Sequence, residues 1–150
     1  MPRFENKCRI SWSAEMWVPF AARDVFPLLC PVREKDWLPE WACEIVYLAS
    51  GRAELDGIFT TEDPSLGRDV WVISAYQPNS FIQFIRTNRL RVLRYDIHLS
   101  EQEDGTRLLW SQTLTALDAA GERHLAEQDA TSFEKMVRGL EQRLTRYLAG

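Results

Sequence analysis

Histidine is scarce in this chain. There are two, His98 and His124, and neither stands in an HxxxH or Cys/His spacing, so no metal site is expected. The three cysteines, Cys8, Cys30 and Cys43, form an odd set with no CxxC pair and read as reduced thiols in the cytoplasm. No apolar run approaches the length of a bilayer span, so membrane insertion is not expected. The opening MPRFENKCRI has no apolar h-region and does not read as a secretory signal. Basic residues are in deficit, 18 Lys and Arg against 22 Asp and Glu, and a net charge of −4 argues against a nucleic-acid partner. Glycine and proline number seven each, and no repeat, low-complexity tract or linker divides the 150 residues, so a single domain over 1–150 is expected. A phosphate-cradling Gly loop and a nucleophile elbow are both missing, nothing gathers Ser, His and Asp into a triad, and no cofactor is implied.

What is present is organised around the last segment. From Glu122 to Leu148 the pattern predicts one long helix, because Ala126, Ala130, Phe133, Val137, Leu140, Leu144 and Tyr147 recur at spacings of four and three. Arg123, Glu127, Lys135 and Arg138 fall on the opposite face. Such a helix gains little alone in water, so the preceding residues must supply the surface it lies on. They read as a sheet. Cys8–Val18 predicts a first strand; Val25, Phe26, Leu28 and Leu29 predict a short helix ended by Cys30-Pro31; Val32–Leu38 predicts a second, broken by Pro39. Six further strands are predicted at Cys43–Ala49, Glu54–Thr61, Asp69–Tyr76, Phe81–Thr87, Arg91–Ser100 and Thr106–Leu117, rich in aromatic and β-branched residues. Turn signals separate them, the sharpest being Asp104-Gly105. The order gives an α+β class: a curved antiparallel seven-stranded sheet around a long C-terminal helix, with two short helices after the first strand.

This order of elements resembles the START-like, helix-grip superfamily, also called SRPBCC, which includes Bet v 1-type proteins and polyketide cyclases. The stretch CPVREKDWLPEW (Cys30 to Trp41) and the later GRDVWVISAYQP and GTRLLWSQTLTAL resemble a group of bacterial SRPBCC proteins. The resemblance implies a deep cavity between sheet and long helix, which in relatives holds lipids, polyketides, sterols or hormones. It therefore implies binding or transport of a small hydrophobic molecule. The alternative is a polyketide cyclase/aromatase-type enzyme using the same cavity. The superfamily has no universal catalytic motif, so catalytic residues are not assigned, and the residues do not distinguish a monomer from a homodimer.

Strand parity maps the concave face. Leu93, Tyr95, Ile97 and Leu99 point inward, leaving Arg94, Asp96 and His98 outward. Leu108, Trp110, Gln112 and Leu114 form a second inward set, which places Gln112 under the helix, where its amide needs a partner. On Asp69–Tyr76 the bulkier set Trp71, Ile73 and Ala75 is preferred over Val70, Val72, Ser74 and Tyr76. Candidate ligand-binding residues are thus Trp71, Tyr95, Trp110 and Gln112 on the sheet, and Phe133 on the helix. Trp37 and Trp41 either form the mouth of the cavity or pack the short helices onto the sheet's end. Asp129 falls in the same arc as Phe133 and either lines the pocket or meets water at an overhanging helix end. Glu34, Asp36, Glu40 and Glu44 are read as solvated, although paired carboxylates could do acid/base work, and Arg33 is expected to pair with Glu34. Arg86, Arg89, Arg91 and Arg94 read most simply as charge protecting an edge hairpin, or else as a rim for a ligand's carboxylate or phosphate.

Overall fold

The computed structural model describes residues 8–150. The first seven, which hold most of the segment examined for a signal, lie outside the described residues. The strands are β1 (Arg9–Val18), β2 (Glu44–Tyr47), β3 (Ile58–Asp63), β4 (Gly67–Gln77), β5 (Phe81–Thr87), β6 (Arg91–Gln102) and β7 (Gly105–Ala116). They form one antiparallel sheet in the order β1-β7-β6-β5-β4-β3-β2. Chain reversal puts each strand from β2 to β7 beside its sequence neighbour, and β1 closes on β7 in unbroken register from Arg9↔Thr115 to Val18↔Thr106. Among the described residues β1 and β2 are the edges. The latter is four residues long, which limits its pairing capacity although Ile45, Val46 and Tyr47 are exposed.

Between β1 and β2 the chain is less helical than its sequence predicts. Helix α1 (Ala22–Val25) runs into a 3-10 turn, Phe26–Leu29, with Pro27 in its first turn. The expected second helix at Val32–Leu38 is only a 3-10 turn, Glu34–Asp36. Pro31 and Pro39 leave too few residues for a cooperative helix. Instead the segment is pinned by indoles: Trp37 Nε1 donates to the Leu28 carbonyl at 2.8 Å and Trp41 Nε1 to the Pro31 carbonyl at 2.9 Å.

The expected single C-terminal helix is two, α2 (Ala119–Ala126) and α3 (Ala130–Ala149). Each begins at an aspartate: Asp118 accepts from the Gly121 N–H, and Asp129, in extended conformation, accepts from the Ser132 N–H at 2.6 Å. An aspartate cap stabilises a helix start, and here it outweighs the continuous apolar period. The break shifts the buried stripe. Leu125 is buried, whereas Ala126 and Ala130 are exposed, as are Met136 and Tyr147. Phe133, Val137 and Leu144 form the buried stripe of α3, and together contribute about 5–9 kcal/mol gross. The helix lies closest to β1, where the Phe133 and Trp12 rings meet at 6.2 Å and the Trp17 N–H donates to Glu141 at 2.8 Å.

Inward parity follows expectation on β6 and β7, and on β4 as far as Ile73. At Ser74 the register between β4 and β5 slips. This bulge turns Tyr76 inward against Phe26 at 5.5 Å, in place of the expected Ala75.

Candidate functional site

The space between α3 and the far strands is filled first by aromatic rings. Trp71 stacks on Phe59 at 5.2 Å, and Trp41 and Phe84 meet both rings edge-on within 5.8–6.2 Å. The indoles of this cluster are satisfied locally, Trp41 by Pro31 and Trp71 Nε1 by the Thr61 hydroxyl at 2.9 Å. Trp41 therefore packs its segment onto the sheet. Trp37 stands apart, bound to Leu28 and edging a surface groove beside Arg143 and Tyr147.

Toward β1 the interior becomes polar. The Tyr95 and Trp110 rings sit edge to face at 5.8 Å, and Gln112 pairs with Tyr95 across the β6–β7 ladder. Trp12 Nε1 donates to Gln112 Oε1 at 3.2 Å, so a neighbouring indole satisfies part of the half-buried amide. Trp110 Nε1 is different: it is buried and has no partner. Among the described residues one other buried side-chain atom shares that state, Asn88 Nδ2 in the β5–β6 turn.

Glu34 joins this group, against expectation. Asp36 pairs with Arg33 at 2.8 Å and Glu40 pairs with Arg143, so those carboxylates are spent on the surface. Arg33 thus takes Asp36 rather than the expected Glu34. The Glu34 carboxyl turns inward instead, and burial pushes it up to about 8. It has no hydrogen-bond partner among the described residues, and the residue stays partly exposed. Burial first, and the Glu34 charge second, raise the Tyr95 phenol well above its ordinary value, while Arg86 and Gln112 pull the other way. Tyr95 is therefore within electrostatic reach of both an acid and a cation. Burial likewise pushes the Cys43 thiol up, which keeps it an unreactive neutral group.

The cation is part of a triad that edge protection does not explain, since β5 and β6 lie inside the sheet. Asp69 is 1% exposed and accepts from Arg86 Nε at 2.6 Å and from Arg91 at 3.4 Å. Asp69 precedes Trp71 and Ile73 on the inward parity of β4, and Arg91 precedes Leu93 and Tyr95 on that of β6. Burial lowers Arg91 from its ordinary value, and Asp69 opposes this. Arg94 and Arg89 remain outside: Arg94 meets Asp96 on the outer face, where His98 stacks on Phe81 at 4.1 Å.

Arg86 and Arg91 floor a cavity of about 290 Å³ under the α2–α3 junction, which Gln112, Trp12, Phe133 and Asp129 also line. Of the eight candidates this cavity brings together Gln112, Asp129 and Phe133; Tyr95 and Trp110 stand beside it, Trp71 behind Arg86, and Trp37 and Trp41 farther away. Asp129 does both things considered for it, capping α3 in the open and edging the cavity. A larger cleft of about 720 Å³ opens elsewhere, between Phe26–Cys30, Ser50–Glu54 and the β4–β5 turn. Its charged walls are mostly satisfied locally, Glu54 by Ser50 and Arg33 by Asp36. Among the described residues no group of side chains could hold a metal, and no helix is long and apolar enough to cross a membrane.

No protein-family model and no curated protein matches the sequence. Solved structures do match, at low identity and over nearly the whole chain. Norcoclaurine synthase from Thalictrum flavum is 12% identical with a TM-score of 0.69, over 96% of this chain and 88% of that one. The Mll3558 protein from Rhizobium loti is 16% identical with a TM-score of 0.68, over 93% and 97%. Ara h 8.0201 is 13% identical with a TM-score of 0.66, over 95% and 100%. At such identities the likeness is one of architecture, and the architecture is the helix-grip fold of the Bet v 1-like and SRPBCC proteins.

Proposed function

We propose that this protein binds a small, largely apolar molecule carrying one or two polar handles, in the interior between α3 and the sheet. The observation that carries the reading is Trp110 Nε1, buried without a partner and set edge to face against the Tyr95 ring. Buried polar groups in folded proteins are almost always hydrogen-bonded, so a ligand carbonyl or hydroxyl would complete what the chain leaves open. The cavity beside Phe133 at the α2–α3 junction would give such a molecule its way in. Native mass spectrometry of the purified chain, before and after exposure to a lipid and aromatic library, tests this. A retained apolar compound is expected; a chain that retains nothing from the whole library refutes it.

A second reading, a cyclase/aromatase-type enzyme, is favoured by one observation. Glu34, held up to about 8, is a neutral acid at pH 7 and can donate a proton, and it lies within electrostatic reach of Tyr95. On this reading Tyr95→Phe and Glu34→Gln stop turnover of a polyketide-like substrate while leaving it bound. Conversion that persists in both variants removes these residues from the chemistry.

A further inference from the structure

Two guanidinium groups share a single carboxylate at the floor of the cavity. Asp69 is the counter-charge for both Arg86 and Arg91, whose side chains are 26% and 4% exposed. One positive charge is left over in a poorly solvated place, and arginine cannot shed it by losing a proton. Arg86 is arranged to offer that charge to the cavity. Its face lies 4.4 Å over the Trp71 ring, its Nε is bound to Asp69, and its Nη1 and Nη2 have no acceptor among the described residues. Leu93, Leu114 and Phe133 supply apolar walls beside it. The rim carboxylate, Asp129, already accepts from the Ser132 N–H, and His124 also lines the cavity.

We propose that Arg86, backed by Arg91, receives the carboxylate of an amphipathic monocarboxylic acid whose aromatic or medium-length aliphatic body lies against Trp12 and Phe133. The inference rests on the ligand-binding reading above and adds the charge and shape of the handle. A planar carboxylate matches two adjacent Nη donors in bidentate fashion, and its single charge matches the single unpaired cation. A dianion would bring a second charge toward Asp69 and Asp129 with no cation to meet it. The cavity volume of about 290 Å³ suits a small molecule rather than a long-chain lipid.

The test compares decanoic acid with decanol, and 4-phenylbutanoic acid with 4-phenylbutanol, by calorimetric titration of the whole chain at pH 7.5. Wild type should prefer each acid over its alcohol by about tenfold or more, the size of one charge-assisted hydrogen bond. Arg86→Gln should bring the acid-to-alcohol ratio close to one, and Arg86→Lys should keep part of it. Equal binding of acid and alcohol by wild type, or an undiminished preference in Arg86→Gln, overturns the carboxylate site and leaves the ligand-binding reading standing. Failure of all four compounds, together with an empty library screen, overturns both. The wild-type comparison decides the matter even where a variant folds poorly.

Discussion

Replacing Glu34 with glutamine isolates the cost of the carboxyl that the fold turns inward. The group titrates near 4.5 in its ordinary state, and burial pushes it up to about 8 in the folded chain. Between those values the folded protein holds a proton that the unfolded chain has released. The contribution is therefore most favourable below 4.5 and is lost as the pH climbs through 8. At about 1.4 kcal/mol per pH unit, the penalty is roughly 2 kcal/mol at pH 6 and roughly 4–5 kcal/mol at pH 8.5. Glu34 keeps part of its surface, so adjoining water reduces these figures, by about half at most. Glutamine keeps the shape and does not titrate. The variant should be the more stable protein, and its advantage over wild type should widen by about 1–3 kcal/mol from pH 6 to pH 8.5. Urea unfolding followed by tryptophan fluorescence, repeated across that range, measures the difference. His98, His124 and all other shared groups cancel in the comparison. Parallel stability curves for the two proteins would show that Glu34 is solvated and would remove it from the interior.

Three further perturbations test the architecture around the cavity. Asp69→Asn leaves two guanidinium groups without a counter-charge and should cost about 3–5 kcal/mol in urea unfolding; a loss below about 1 kcal/mol would mean that water already screens the triad. Asp129→Ala should lower the thermal midpoint by removing the α3 cap, and Asp129→Leu should do the same, the reverse of what an unbroken helix implies. The Ser132 N–H holds the Asp129 carboxyl below its ordinary 3.8, so this contribution is full above that pH and should fade as the pH falls through the lower folded value; a pH-independent difference between the proteins excludes the charged cap. Gly121→Ala would set a Cβ against the Leu90 carbonyl oxygen, a backbone atom that cannot swing away. It should destabilise by about 1–3 kcal/mol despite alanine's usual helical advantage, and a stabilised variant would show that α2 is free to move.

Element order was legible because this sheet is built from sequence neighbours: turn signals bound each strand, and period two sorted Leu93, Tyr95, Ile97 and Leu99 from Arg94, Asp96 and His98. The same parity places Asp69 with Trp71 and Arg91 with Leu93, so the buried triad was also within reach. Reading the arginines as a cluster of like charge hid it, because the partner carboxylate lies on a different hairpin. Three features carry no periodic signal. The Ser74 bulge reverses parity without a glycine or proline to mark it. The helix break at 127–129 is masked because Ala126 and Ala130 fit the apolar period, and the competing cap interaction of Asp129 is local. Glu34 lies between two prolines in a segment held by side-chain to backbone bonds, and its facing depends on where Leu28 and Pro31 stand in the finished fold.

The interior polar groups have one property in common that stability alone does not explain. Glu34 carries an acid into the interior and Arg86 a cation, and Tyr95 feels both. Had the chain been shaped only to offset these charges, direct pairing of the two would remove most of both penalties. No ion pair joins them among the described residues: Glu34 is left without a partner, and the Nη groups of Arg86 are left without an acceptor. Trp110 Nε1, on β7, adds a third polar position without a partner. Departures from local consistency on this scale are expected where a surface has been shaped for something other than the chain itself. Their arrangement also sets an orientation. A ligand anchored by an acid at Arg86 would run its body past Trp12 and Gln112, so the groups left to read its far end are Tyr95, Trp110 and Glu34.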